Sequence, residues 1–411
     1  MVRIMLFMIF LAFSGTADAA STAFVNVNLI PMTSETIVAR QTVIVEDGLI
    51  VAIGDVDELT VPENAKRVDG AGRYLMPGLA EMHAHVPDPG SEEFERYLVL
   101  FVANGVTTIR GMLGQPSQLS LRQQILDDEI FGPRLITSGP SLNGNSVSSV
   151  ADGKQQVIAQ QAAAYDFLKI HPGLSLEEFT AIAETANELG IPFAGHVPSA
   201  VSLETALSLG MASIEHLDGY MPALLPADSG RTGGNAGLFD ILLAGQAVDE
   251  RIMEVAVQTA EAGTWNVPTQ LLIEQLITDT VTIAELKNRP EMRYMPKKTV
   301  QEWLSVTEKE RNSDELTAEI AARAVEVRRK LILALHQSGA GLLLGSDAPQ
   351  ILNVPGFSIH RELELIVAAG LTPFEALQTG TTAVAEYLGT NTGTVTVGRD
   401  AGLVLLDANP L

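Results

Sequence analysis

Short apolar segments alternate with amphipathic helical segments through most of this 411-residue chain. The helical stretch 175–190 is typical, since Ser175 is a good N-cap and Gly190 a good C-cap. The segments of strand character are 79–85, 105–110, 134–139, 165–170, 192–196, 212–216, 264–269 and 341–347. Regular alternation of this kind predicts an α/β fold built on parallel strands.

Two architectures alternate in this way, a closed (β/α)8 barrel and an open doubly wound sheet. Eight repeats over about 300 residues favour the TIM barrel. No glycine-rich nucleotide loop follows the segment 79–85, which disfavours the open sheet. Residues 218–248 and 270–325 interrupt the alternation. The second interruption is long, charged and mostly helical, and is equally suited to cover a substrate pocket or to form an oligomer contact.

Both ends of the chain are rich in strand-forming residues. Residues 41–54, "QTVIVEDGLIVAIG", contain a hairpin signal, and the C-terminal "GTVTVGRDAGLVLLDANPL" has the same character. We therefore expect a small β-sandwich formed by residues 21–75 and 386–411, and a barrel formed by residues 76–385.

The first 20 residues have the pattern of a secretory signal peptide. Arg3 precedes an apolar run, and an Ala-x-Ala cleavage pattern ends at Ala19. The apolar run is too short for a membrane span. A retained anchor is the alternative, but we expect cleavage and a periplasmic or secreted protein without a stable membrane span.

Composition excludes some classes of partner and of site. The formal net charge of −24 argues against nucleic acid as a partner. It permits a cationic substrate, but an acidic solvated surface is the favoured explanation of the charge. The chain has no cysteine, so neither disulfides nor thiolate metal ligands are available. A metal would have to be held by His, Asp, Glu or modified Lys side chains.

Side chains suited to bind metal lie at the ends of five predicted strands. His83 and His85 are two residues apart, so they project from the same side of the first strand. The side chains at the other strand ends are Lys169, His196, His216 and Asp347. Active sites of (β/α)8 barrels lie at this face, so the set predicts a metal site.

Lys169 is an unusual member of the set, because an ammonium group repels metal ions. Burial near cations would favour its neutral amine, which can react with carbon dioxide to form a carbamate. A carbamate has two oxygen atoms and could bridge two metal ions. The alternative is an ion pair with Asp166.

The motifs "PGLAEMHAH", "YDFLKIHPGLS", "FAGHVP", "SIEHLDG" and "GSDAP" occur in an order that resembles the amidohydrolase superfamily. Among its groups, the chain looks most like the imidazolonepropionase-like and prolidase-like metal-dependent hydrolases. Two features depart from the family pattern: the closing strand has Ala401-Gly402 in place of Ala-Asp, and the sequence stops at Leu411, where relatives commonly add strands. The small domain is therefore expected to be trimmed.

The resemblance implies a site with two divalent ions, which are zinc in relatives. His83 and His85 would bind the more buried ion, His196 and His216 the more exposed one, and carbamylated Lys169 would bridge them. Asp347 would bind the buried ion and transfer protons, which makes Asp347 and Lys169 the expected catalytic residues.

The expected function is hydrolysis of an amide bond in a dipeptide or N-acyl amino acid by metal-activated hydroxide. Prolidase-like, carboxypeptidase-like and ochratoxin-type enzymes are the examples of this reaction that the resemblance implies. The alternative is a hydrolase of cyclic amides, lactones or organophosphates on the same metal pair, and a non-catalytic binding protein is a third possibility. A homo-oligomer is expected.

Five residues that follow predicted strands are candidates for substrate binding: Asn143, Tyr220, Arg231, Gln270 and His360. Arg231 could clamp a carboxylate or lie on the surface, and His360 could contact substrate or cap a helix. His171 is a candidate to support the metal ligands. For Arg110, a salt bridge to a barrel carboxylate is expected.

Overall fold

The computed structural model describes residues 21–226 and 236–411. The predicted signal peptide (1–20) and Arg231 lie outside these residues. The strands are β1 Ser21–Leu29, β2 Val38–Glu46, β3 Leu49–Asp55, β4 Lys66–Asp69, β5 Tyr74–Pro77, β6 Leu79–Ala84, β7 Val106–Gly111, β8 Arg134–Thr137, β9 Leu168–Ile170, β10 Phe193–Gly195, β11 Ser213–Glu215, β12 Trp265–Val267 and β13 Leu403–Leu406.

Helices separate the strands from β6 onward, as the alternation predicts. The α-helices are α1 Phe94–Ala103, α2 Ser117–Leu126, α3 Val150–Ala162, α4 Leu176–Leu189, α5 Leu203–Ser208, α6 Tyr220–Ala223, α7 Glu250–Ala262, α8 Gln270–Ile277, α9 Ile283–Lys287, α10 Lys297–Arg311, α11 Ala318–Ser338, α12 Phe357–Ala368, α13 Pro373–Thr379 and α14 Thr382–Leu388. Two 3₁₀ segments span Leu238–Gln246 and Pro290–Tyr294.

Seven of the predicted strands form two parallel sheets, in the orders β6-β7-β8 and β12-β11-β10-β9. A parallel bridge between Ser138 and Phe167 connects β8 to the segment before β9. Their common direction brings the carboxyl ends of these strands to one face, where the predicted metal ligands lie.

The eighth predicted strand, 341–347, is not a regular strand. It makes isolated parallel bridges, Asn266 to Leu342 on one side and Ala84 to Ala348 on the other. The segment packs closely against both neighbours, since a Cβ on Gly345 would lie 2.5 Å from Val267 Cγ1 and 2.9 Å from the His83 backbone nitrogen. Asp347, at the end of the segment, has a left-handed φ of 63°.

The two termini share one six-stranded sheet. Strand β1 pairs with β2 on one side and with β4 and β5 on the other, and β13 pairs antiparallel with β5. The pairing of β13 with β5 joins the C-terminal residues to the N-terminal strands, as the sequence predicts.

Local sequence signals fix the helix ends around the parallel strands. Helix α4 begins with a capping box between Ser175 and Glu178 and ends at Gly190, whose φ is 68°. These are the boundaries that the sequence predicts, because an N-cap hydroxyl and a left-handed glycine satisfy otherwise unpaired backbone groups. The buried face of α4 packs on the core through side chains such as Phe179 and Ile182.

The long interruption after β12 folds into helices α8, α9 and α10. A second apolar cluster, including Leu286, Met292 and Trp303, packs it against Tyr97 of α1 and Leu352. The interruption is therefore fixed against the loop that follows Asp347. Within residues 21–226 and 236–411, none of the helices combines the length and the apolar character needed to span a bilayer.

Candidate metal centre

His83 and His85 lie together at the carboxyl end of β6. Their Nε2 atoms are 3.5 Å and 2.7 Å from Asp347 Oδ1, respectively. One ligand atom from each of the three residues can be chosen so that all lie within 4.8 Å of one another. Two imidazoles and one carboxylate at such distances can bind one divalent cation.

His196 and His216 extend this group toward the neighbouring strands. The ring centroids of His83 and His216 are 4.7 Å apart, and those of His216 and His196 are 4.8 Å apart. His196 follows β10 and His216 follows β11, so the parallel strands place both rings at the same face. Four histidines therefore form one continuous cluster.

Lys169, on β9, is completely buried beside this cluster. Its Nζ atom has no hydrogen-bond partner among the described residues. Burial lowers the pKa of the Lys169 ammonium group to about 8, although the nearby carboxylates of Glu215 and Asp347 oppose the shift. A buried amine without a hydrogen-bond partner is the kind of group that can react with carbon dioxide to form a carbamate.

The alternative prediction for Lys169, an ion pair with Asp166, is wrong. The Asp166 carboxylate instead accepts hydrogen bonds from Arg122 Nη1 and from the Thr137 backbone N–H, each at 2.8 Å. Its side chain is also partly exposed, whereas Lys169 is completely buried. Asp166 thus fixes the surface helix α2 to β8 and leaves the amine of Lys169 free.

Three of the histidines have their Nδ1 atoms engaged by other side chains. His83 Nδ1 lies 2.8 Å from Glu215 Oε2, His196 Nδ1 lies 2.6 Å from Asp218 Oδ2, and His216 Nδ1 lies 2.8 Å from Thr269 Oγ1. Such contacts orient the ring and leave Nε2 as the atom available to a metal.

Arg110 forms the salt bridge that the sequence predicts, and its partner is Glu215. The Arg110 guanidinium donates to Glu215 Oε1 at 2.7 Å, to Ser213 Oγ at 2.9 Å and to the Met82 carbonyl at 2.7 Å. Because Glu215 also contacts His83, Arg110 holds the carboxylate that orients a metal-site ring.

Sequence reasoning missed Glu215, Asp218 and Thr269. For Glu215 a sequence signal was present. Ser213 and Glu215 are two residues apart on β11, so their side chains lie on the same side of the strand, which faces Arg110. Asp218 and Thr269 come from loops after the strands, where no periodicity predicts the direction of a side chain.

The protonation states of the buried ligands suit metal binding. Burial lowers the pKa of His83 and of His216 well below the usual value for imidazole, so both rings are neutral near pH 7. Burial alone would raise the pKa of Asp347, but His83 and His85 outweigh it and lower the pKa to about 2. Neutral imidazoles and an ionised carboxylate are the forms that bind metals.

The backbone is strained at three positions of the site. His216, Thr269 and Asp347 have left-handed φ angles of 60°, 46° and 63°, which are uncommon for residues with a Cβ. Strain of this kind concentrates at functional sites, because surrounding contacts must maintain it.

The predicted substrate-binding residues do not join this cluster through their polar groups. The Tyr220 hydroxyl is buried and bonds to Thr259 and Asn266, and the buried Gln270 amide bonds to Arg328 and Glu274. The Asn143 amide folds back onto its own loop. His360 Nε2 lies 3.0 Å from the Asn104 carbonyl. The role of these four residues in substrate binding stays a prediction without support from their contacts.

His171 lies beside the cluster, as its spacing from Lys169 predicts. Its ring stacks on that of His196 with a centroid distance of 5.0 Å. Burial, with a smaller contribution from Lys169, lowers the pKa of His171 to about 2. His171 therefore adds a neutral ring to the cluster.

Known proteins resemble the chain in both fold and sequence. A Bifidobacterium longum protein provisionally assigned as a prolidase aligns with a TM-score of 0.69 and 23% identity, covering 95% of this chain and 89% of that one. A bottromycin amidohydrolase aligns with a TM-score of 0.69 and 23% identity, covering 94% of this chain and 82% of that one. At these identities the likeness shows a common fold.

Matches in sequence are shorter. The dihydroorotase of Trichlorobacter lovleyi is 39% identical over 70 residues, which are 16% of this chain and 16% of that enzyme. The aligned part thus spans about a sixth of the curated relative.

The sequence profile described as "Amidohydrolase family" matches residues 74–411, which contain every residue of the metal cluster and both parallel sheets. The resemblance noted from the motifs is thereby confirmed. Members of this family typically bind divalent metal, and the group formed by His83, His85 and Asp347 fits that property. This chain belongs to the amidohydrolase family.

Proposed function

We propose that the protein is an exported amidohydrolase that uses two divalent metal ions to cleave the amide bond of a dipeptide or an N-acyl amino acid. One observation supports this most strongly. The ends of parallel strands bring together four histidines, a buried aspartate and a buried lysine whose amine has no partner among the described residues.

Each residue of the cluster has a defined part in this proposal. His83, His85 and Asp347 would hold one ion, and His196 and His216 would hold the second. The Lys169 amine would add carbon dioxide, forming a nitrogen–carbon bond and releasing one proton, and the resulting carbamate would supply further oxygen ligands. When bound, the ions supply Lewis acidity and lower the pKa of bound water.

Asp347 is the group placed to move protons. Its carboxylate is ionised at neutral pH, because the neighbouring imidazoles hold its pKa at about 2. The side chain is buried, so bulk water has little access to its oxygen atoms. It would accept a proton from the attacking water at Oδ1 and deliver it to the nitrogen of the departing amine.

Several further features belong to the same proposal. We infer that the parallel strands and the segment 341–348 close into a (β/α)8 barrel, which the bridges at Leu342 and Ala348 support. The terminal strands would form a small β-sandwich, the native metal would be zinc, and a signal peptide would direct the chain to the periplasm or medium. A homo-oligomer is part of this expectation.

The proposal is tested by measuring hydrolysis of a panel of dipeptides and N-acyl amino acids before and after chelation. We expect hydrolysis of at least one member, complete loss of rate with a chelator, and recovery when zinc is added. Hydrolysis of lactones or cyclic amides alone would favour the alternative substrate class. Hydrolysis that continues after removal of all metal would contradict the proposal.

A further inference from the structure

A cavity of about 400 Å³ lies beside the metal cluster. Phe239 connects the two, since its ring centroid is 4.8 Å from that of His216 and its side chain also lines the cavity. The other lining residues are Gly237, Leu238, Ile241, Leu242, Ile273, Leu276, Ile277, Glu310, Ser313, Glu315 and Leu316. The wall therefore combines the segment before α7 with the long interruption after β12.

The chemistry of the wall selects one class of ligand. Eight of its residues are apolar, and Ile241, Ile273 and Leu276 are buried members of the core. The charged members, Glu310 and Glu315, are both acidic. A volume near 400 Å³ lies within the range of about 300–1,000 Å³ that is typical of small-molecule pockets.

The backbone holds Phe239 in an unfavourable conformation. Phe239 and Asp240 have φ angles of 55° and 58°, so two consecutive residues with a Cβ are left-handed. This conformation is uncommon for such residues, and the surrounding contacts must maintain it. The Phe239 ring lies near those of His216 and His196, and the side chain also lines the cavity.

We propose that this cavity is the specificity subsite for a large apolar group of the substrate, aliphatic or aromatic, with Phe239 at its boundary to the metal cluster. The inference rests on the proposed amide hydrolysis, since the occupant is part of the molecule cleaved at the metal cluster. The apolar group is either the acyl chain or the side chain of the released amino acid.

The kinetic test uses two homologous series, N-acylglycines of increasing chain length and N-acetyl amino acids of increasing side-chain size. We expect kcat/KM to rise about threefold to fourfold per added methylene group in at least one series. The variant Leu316→Asn should flatten that rise. Leu238→Asn, at a residue that is 48% exposed, tests the same wall with little risk to folding.

The matched control is Leu209→Asn. Leu209 is half-buried like Leu316 and also packs on the main core, but it is not part of the cavity wall. This control should retain the full dependence on chain length. Absence of that dependence in both series for the wild type would overturn the proposal.

A binding measurement separates this inference from the proposed function. Calorimetry on the metal-free protein, with hexanamide and benzyl alcohol as uncharged probes, should show saturable binding of at least one and a negative heat-capacity change. Leu316→Asn should weaken the binding of the probe at least fivefold, and Leu209→Asn should leave that affinity unchanged. If no amide is hydrolysed but this pattern holds, only the proposed function fails. If the wild type binds neither probe, the cavity proposal fails.

Discussion

At the scale of single residues, the partner of a histidine's Nδ1 atom determines how the ring is oriented and how strongly its Nε2 atom can bind a metal. Nδ1 is engaged by a carboxylate in His83 and in His196, and by a hydroxyl in His216. A carboxylate partner increases the basicity of the ring, whereas a hydroxyl mainly fixes its orientation. His216 is thus the ring whose anchor can be removed without changing any charge.

The variant Thr269→Val removes that anchor and retains the branched shape of the side chain. We expect zinc affinity to fall about tenfold to a hundredfold, because the His216 ring loses its fixed orientation. The free energy of unfolding should fall by about 1 kcal/mol. Competition with a fluorescent zinc chelator measures the affinity.

Thr264→Val provides the matched control for this variant. Thr264 is also buried, but its hydroxyl has no hydrogen-bond partner among the described residues. Zinc affinity should be unchanged in Thr264→Val. Equal affinities for the wild type and Thr269→Val would show that the hydroxyl does not orient His216.

At the scale of elements, buried polar contacts join the helices to the site. Glu362 on α12 accepts hydrogen bonds from the backbone N–H groups of Gln270 and Leu271 at the start of α8. Arg328 on α11 donates to the Gln270 side chain and to the His216 carbonyl. Three helices outside the parallel sheets therefore determine where the loop after β12 lies.

Glu362 predicts a specific dependence of stability on pH. Burial raises its pKa to about 7, from 4.5 in an unfolded chain. The folded state therefore binds more protons between these values, and the stability contributed by Glu362 falls as pH rises from 4.5 to 7. The free energy of unfolding of the metal-free wild type, relative to Glu362→Gln, should fall by on the order of 3 kcal/mol.

Urea denaturation at a series of pH values measures this difference. Glu364→Gln is the control, since Glu364 is exposed on the same helix and its substitution should not alter the curve. A constant difference between the wild type and Glu362→Gln across this range would contradict the prediction.

The irregular segment 341–348 gives a second prediction at this scale. Gly345→Ala would place a Cβ 2.5 Å from Val267 Cγ1 and 2.9 Å from the His83 backbone nitrogen. We expect a loss of about 1–3 kcal/mol in the free energy of unfolding, together with weaker zinc binding, because β6 must move. Gly245→Ala, where nothing lies within 4 Å, should change stability by less than about 0.5 kcal/mol. Thermal unfolding and zinc titration of both variants measure these effects. Equal stability and equal zinc affinity in the two variants would contradict the packing argument.

At the scale of the whole molecule, the sequence predicts what depends on regular geometry. Alternation of strands and helices predicts parallel sheets, and strand ends then predict where His83, Lys169, His196 and Asp347 meet. Capping signals predict the ends of α4 for the same reason, because a fixed local geometry satisfies the backbone. The shared terminal sheet follows from the strand-forming character of both ends.

Features that depend on loops and packing were not predictable. Tyr220 and Gln270 follow strands, as substrate-binding residues do, yet their polar groups bond inside the protein. The segment 341–347 has the composition of a strand, but it pairs with its neighbours through isolated bridges, and Gly345 packs closely against His83 and Val267. Phe239 lies in an irregular segment whose left-handed backbone no sequence pattern indicates.

The proposed function requires that the six side chains gathered at the strand ends hold two metal ions. Metal content per chain, measured by mass spectrometry after dialysis of zinc-reconstituted protein, tests it most directly. We predict two equivalents for the wild type and at most one for Lys169→Ala, with native circular dichroism in both. One equivalent or fewer in the wild type, or equal contents in the two proteins, would contradict the proposed two-metal site.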